Sequence, residues 1–199
     1  MPVIETNLGR LATAAKQKES ENWEFYAFLK GCNNAEIDGV VHELLTEVAP
    51  AIDCSACRNC CKRLKPGFLG DEVDRAAAAL GMNPEEFSLA YLVHDSEDIG
   101  MTVAGLPCPF LTDNACALQD ARPDGCHTFP HLAKNDFTYR LHGVIENYAI
   151  CPIVFNVFER LKTEYGWKPT RENRNPVKSS RAPRAFNSHP HYKFRRYPL

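Results

Sequence analysis

Across residues 8–50 apolar side chains return every three or four positions, most clearly at Ile37, Val40, Val41, Leu44, Leu45 and Val48. That spacing collects them on one side of a helix and predicts a helical stretch that buries a single face. Trp23, Phe25, Tyr26 and Phe28 precede it, an aromatic group suited to core packing or to docking a partner. Residues 71–80 are rich in alanine and are followed by Gly81, which predicts a helix stopped by a residue that tolerates positive φ. A second helix follows at once. Asn83 is placed to cap it, Pro84 suits its first turn, and Glu85 and Glu86 favour the positive end of its dipole. The two form a helical hairpin.

From residue 98 to about 144 the periodicity breaks, interrupted by Gly105, Pro107, Pro109, Pro123, Gly125 and Pro130, and the stretch reads as short β-prone or irregular pieces. After Pro152 a last helix is expected. Val154, Phe155, Val157, Phe158 and Leu161 suit its buried face, Lys162 and Glu164 its outer one, and Gly166 and Pro169 its end. The fold expected is mainly α, α+β at the margin: a helical scaffold with irregular cysteine-rich loops around one or two metal centres. Three segments follow: an N-terminal helical part at 1–50, a cysteine-cluster domain at 51–165, and a C-terminal tail at 166–199.

With 199 residues, 44% of them hydrophobic and 24% charged, the chain has the composition of a globular protein and enough length for a real core without help from a metal. Residues 1–18 hold no apolar stretch before a small-residue cleavage site, and no run approaches the roughly 20 apolar residues of a membrane span. Cytoplasmic residence without membrane contact is the expectation. Charge is unevenly spread. The tail carries nine cations opposed only by Glu172, about +8, so the body is about −10 although the whole chain is −2. Interleaved with Trp167, Phe186, Tyr192, Phe194 and Tyr197, these cations suit weak polyanion binding, and equally a strap across the acidic body.

Nine cysteines without an export signal point to metal binding before disulfides, because cytosolic reductants keep ordinary thiols unpaired. Cys54-Ser-Ala-Cys57-Arg-Asn-Cys60-Cys61 is a C-x2-C-x2-C-C run, and a loop with that interval brings three thiolates toward one centre. Cys60 and Cys61 are adjacent, so their side chains are expected to project differently, one of them serving a second site. Cys108, Cys116, Cys126 and Cys151 complete a candidate ligand set of eight, enough for two four-coordinate centres.

Iron–sulfur and zinc both accept four thiolates. The triple loop, with proline after Cys108 and Cys151, favours one or two 4Fe-4S clusters, and zinc stays as the alternative. Arg58, Lys62, Arg63 and Lys65 are placed to offset the negative charge of such a centre. Cys32 stands apart and reads as a buried thiol. His127 and His131 lie beside Cys126 and are weaker ligand candidates, whereas His42, His94 and His142 show no spacing relation.

These residues resemble the CxxCxxCC, or YkgJ-type, cysteine-cluster family of zinc- or iron-chelating domains. The resemblance rests on Cys54 to Cys61, on Leu106-Pro-Cys-Pro-Phe-Leu111 leading to Cys116, on Arg122-Pro123 followed by Cys126 and Phe129-Pro130, and on Cys151. It departs at Gln119, where the family usually has an aromatic residue, and at His127, where arginine is usual. The resemblance implies metal binding through these cysteines but no single reaction. Electron transfer, cluster handling or redox sensing with an unknown redox or protein partner is the first expectation. A structural zinc module for interactions is the second. Because some relatives are flagellin lysine methylases, a protein-modifying enzyme around the same centre is the third, although no Gly-rich nucleotide fingerprint follows a predicted strand.

Overall fold

The computed structural model describes residues 3–94, 100–113 and 115–170. Its first three helices are α1 (Leu8–Gln17), α2 (Glu19–Leu29) and α3 (Asn34–Val48). The amide groups that open α1 and α3 find side-chain acceptors in Asn7 and Asn33. Next come α4 (Cys54–Cys57), α5 (Asn59–Arg63), the short strand β1 (Gly67–Phe68), then α6 (Asp71–Ala79) and α7 (Pro84–Tyr91). Strands β2 (Leu92–His94), β3 (Met101–Val103), β4 (Leu111–Thr112) and β5 (Ala115–Cys116) follow, and then helix α8 (Asp124–Thr128). Helices α9 (Leu141–Tyr148) and α10 (Pro152–Glu164) close the described chain. The protein is mainly helical with a little sheet, and among the described residues no helix is long and apolar enough to cross a membrane.

The described residues form two compact units, 3–52 with 130–170, and 53–129. This division differs from the three segments drawn on the sequence, because chain on both sides of the cysteine region folds into the same helical unit. Most of the tail, residues 171–199, lies outside the described residues.

In the helical unit α10 packs on α3 and on α9. Val154, Val157, Phe158 and Leu161 from α10 are buried, as are Ile37, Val41 and Leu44 from α3. Phe25 meets Phe158 edge-on at 5.3 Å between ring centres. Burying one such ring contributes on the order of 2–3 kcal/mol, so these contacts outweigh the surface ion pairs around them. The carboxylate of Asp38 accepts the amides of Asp136 and Phe137 at 2.7 and 2.8 Å, tying α3 to the turn before α9.

Two expectations need correction in this unit. Lys162 does not point outward. It is 5% exposed, with Nζ 2.8 Å from Glu21, 2.7 Å from Glu159 and 2.6 Å from the Asn22 side-chain oxygen. A lysine can be buried when carboxylates neutralise it, and helical spacing alone does not reveal partners on another helix. Irregularity across 98–144 also fails toward its end, since α9 begins at Leu141. Its buried face is only Leu141, Val144 and Tyr148, interrupted by Gly143, too little for a visible period.

The cysteine-rich unit has its own core. Phe68, Phe87 and Phe110 are buried, Phe87 and Phe110 stacking at 5.5 Å with rings 5° from parallel. The hairpin of α6 and α7 stands as the sequence predicts. Gly81 takes φ +69° after α6, and the Asn83 side chain accepts the Glu86 amide at 2.9 Å to start α7. A three-stranded antiparallel sheet, in the order β1-β3-β2, pairs Gly67 with Thr102 and Val93 with Thr102. In a second sheet β4 and β5 pair Leu111 with Cys116.

Candidate metal centre

The C-x2-C-x2-C-C run is not an open loop. The Asp53 carboxylate accepts the amides of Ser55 and Ala56 at 2.8 and 3.2 Å and the Ser55 hydroxyl at 2.5 Å, which winds Cys54 to Cys57 into one helical turn. These bonds hold the Asp53 carboxyl below its ordinary pKa, the Ser55 hydroxyl foremost. Arg58 then takes the left-handed conformation, φ +49°, and redirects the chain into α5, which carries Cys60 and Cys61. Two turns thus present the four cysteines where a single loop was expected.

Cys60 and Cys61 also behave differently from expectation. Their Sγ atoms lie 3.9 Å apart and share a hydrogen bond, so the adjacent side chains converge. The Cys60 thiol is the chief reason that Cys61 is drawn down to about 6, with the charges of Arg58 and Arg122 acting in the same direction against burial. Arg58 was expected near the ligands. Arg122 was missed as a charge on this site, and its place four residues before Cys126 is the only signal the sequence offers. Lys65 instead donates to the Ala104 carbonyl at 3.2 Å.

Distant thiols are brought in by backbone contacts. The Cys108 amide donates to the Cys61 carbonyl at 2.8 Å, and the Leu111 amide closes a turn onto the Cys108 carbonyl at 3.0 Å. The hairpin of β4 and β5 sets Cys116 across from Leu111, and the Ala117 amide bonds the Phe110 carbonyl at 2.8 Å. Cys61, Cys108 and Cys116 all pack on the apolar cluster around Phe68 and Phe110.

Cys126 is raised to about 12, first by burial and then by the charges of Cys108, Cys61 and Cys116. Cys108 is pushed to about 11, chiefly by burial, with Cys61 and Cys116 adding to it. Four thiols, Cys61, Cys108, Cys116 and Cys126, therefore share one neighbourhood. Cys54 is exposed and raised in pKa by what burial it has and by Cys57 beside it.

Cys151 belongs to the helical unit, where it is buried and precedes Pro152 at the start of α10. Cys32, also in that unit, occupies the turn after α2, and its thiol donates to the Phe28 carbonyl at 3.5 Å. His127 pairs through Nε2 with the Asp120 carbonyl at 3.1 Å, and His131 is drawn down to about 4, chiefly by burial. None of the nine cysteines forms a disulfide.

Four thiols of one unit, none bridged and three of them bordering an apolar core, fit in composition what a thiophilic ion or cluster needs. Among the described residues no three His, Cys, Asp or Glu side chains already stand where they could hold an ion.

Fold and site together define a helical protein with a thiol-rich lobe. Residues 53–143 match the model of the CxxCxxCC family, described as "Putative zinc- or iron-chelating domain". The match includes Cys54, Cys57, Cys60, Cys61, Cys108, Cys116 and Cys126 and ends before Cys151. It supports metal binding as the coarse function of this stretch. No curated protein and no solved structure matches the chain.

Proposed function

We propose that the protein holds an iron–sulfur centre on Cys61, Cys108, Cys116 and Cys126 and works in electron transfer, cluster handling or redox sensing. The observation that carries this reading is the shared neighbourhood of four thiols, with Cys61, Cys108 and Cys116 packed on one apolar cluster. When bound, such a cluster supplies one-electron chemistry. The residues of the chain supply what surrounds it. Phe110 and Leu118, both 2% exposed, belong to the core beside the thiols and keep water from that side. Arg58 and Arg122 favour the ionised thiolate of Cys61, which a ligand must be. Cys108 and Cys126 bind only with loss of their protons, so loading releases acid and strengthens as pH rises.

The proline after Cys108 favours iron–sulfur over zinc for this centre, and the C-x2-C-x2-C spacing of Cys54, Cys57 and Cys60 favours it only where those thiols join the ligand set. Cys54, Cys57, Cys60 and Cys151 remain ligand candidates, to be tested by single substitutions. Purification without oxygen followed by metal and sulfide analysis, with visible and electron paramagnetic resonance spectra, tests the reading. A brown protein carrying iron and acid-labile sulfide, reversibly bleached by reductant, is expected. A colourless protein carrying zinc alone under those conditions would overturn it.

A further inference from the structure

We infer that Glu72 is a positioning residue for the metal centre, its buried carboxylate holding the turn that carries Cys126. The inference rests on the four-thiol reading above and adds to it a residue that binds no metal.

Glu72 lies in the first turn of α6 and is 7% exposed, although a carboxylate is costly to bury without partners. One oxygen, Oε2, accepts the Leu69 amide at 2.7 Å, while the Glu72 amide donates to the Leu69 carbonyl at 2.9 Å. That reciprocal pair spans the Gly70 cap and resembles a capping box at the start of α6. The other oxygen reaches a different segment, Oε1 accepting the amide of Asp124 at 3.1 Å.

Asp124 is the first residue of α8, and Cys126 lies within that helix. Pro123, at the cap position, makes no side-chain hydrogen bond to the amides that open α8. A short helix whose first amides are unpaired frays easily. Within the turn itself the Cys126 and His127 amides both reach back to the Pro123 carbonyl, at 2.8 and 3.3 Å. Glu72 therefore provides from α6 the cap that the local sequence lacks, in a charge-assisted hydrogen bond. Arg75, one turn further along α6, reinforces the link through Asp124 at 3.1 Å, but this pair is exposed and contributes little.

The clamp joins two parts of the chain that carry ligands. Leu69 directly follows β1, the strand reached from the Cys60-Cys61 turn, and Asp124 opens the turn of Cys126. A single carboxylate thus ties the chain that leaves the Cys61 turn to the chain entering the turn of Cys126. Outer residues of this kind commonly alter metal affinity by about 10- to 100-fold when removed.

The test uses the full chain purified without oxygen, in the forms Glu72→Ala, Glu72→Gln, Cys126→Ser and Phe68→Leu. Phe68→Leu loosens the same unit through its apolar core and serves as the stability-matched control. The readouts are thermal unfolding, metal per chain under graded chelator, and the visible spectrum. Glu72→Ala is expected to release metal at about tenfold lower chelator than Phe68→Leu, with an altered spectrum. Glu72→Gln, which keeps one acceptor oxygen, is expected to fall between Glu72→Ala and the wild type. On the Cys126→Ser background Glu72→Gln should add no further loss. Equal metal retention in Glu72→Gln and in Phe68→Leu at matched stability would overturn the inference, as would an undiminished additional loss on the Cys126→Ser background. A wild-type chain that binds neither iron nor zinc would instead bring down the proposed function beneath it.

Discussion

The amide of Cys108 donates to the carbonyl of Cys61 at 2.8 Å, so the two ends of the thiol group are joined by backbone and not by sulfur. That bond seats the turn of Cys108 beside the Cys60-Cys61 turn. It does not depend on what the side chains carry. Replacing a ligand sulfur by oxygen should therefore keep this backbone bond while weakening the hold on metal.

Serine substitutions follow from this directly. Cys61→Ser, Cys108→Ser and Cys126→Ser are each expected to lower metal per chain, whereas Cys32→Ser, whose thiol only bonds the Phe28 carbonyl, should not. Elemental analysis of the purified variants decides it. A full metal complement in Cys126→Ser would remove that residue from the ligand set.

Metal removal should act unevenly. Coordination free energy is partly folding free energy, and the cysteine-rich unit has the smaller core, around Phe68, Phe87 and Phe110. Hydrogen exchange after chelation is expected to show faster exchange in residues 53–129, with the amides of α3 and α10 remaining protected. Uniform loosening of both units would mean that metal stabilises more than its own lobe.

Lys162 gives a stability test independent of metal. Its ammonium lies between Glu21, Glu159 and the Asn22 oxygen, Lys18 also pairs with Glu159, and the Tyr148 hydroxyl donates to Glu159 at 2.8 Å. Lys162→Met leaves two carboxylates short of their cation and is expected to cost about 3 kcal/mol. Adding Glu159→Gln should recover part of that. Urea denaturation measures both, and a loss in the range of an exposed pair, about 0–1 kcal/mol, would show that the network is not stabilising.

Glu146 supplies a pH dependence. Burial lifts its carboxyl from 4.5 to about 7, so the folded chain holds this proton more tightly than the unfolded chain does. Its stabilising contribution is complete below about 4.5 and is lost as pH rises through about 7. Glu146→Gln should accordingly raise the melting temperature at pH 8 and leave it nearly unchanged at pH 4. The gain is small, because the side chain is 36% exposed. An equal gain at both pH values would assign the effect to packing.

Much of the helical scaffold is legible from residues close together in the chain. Asn83, Pro84 and Gly81 mark the hairpin because capping and positive φ act within one turn, and Ile37, Val41 and Leu44 mark α3 because its buried face repeats every turn. α9 escaped notice since its apolar face is three residues long. In the site, the cysteines that matter are visible as residues, but their grouping is not.

By itself, then, the sequence determined the thiol inventory, the tight spacing that marks it as ligand chemistry, and the helices whose start and stop signals are local. Tertiary structure alone decided which thiols are neighbours, that Lys162 turns inward to Glu21 and Asn22 on another helix, and that Glu72 reaches Asp124. The reason is physical. Caps and periodicity act over a few residues, whereas electrostatic partners and buried hydrogen bonds are chosen by distances that exist only once separate segments have packed.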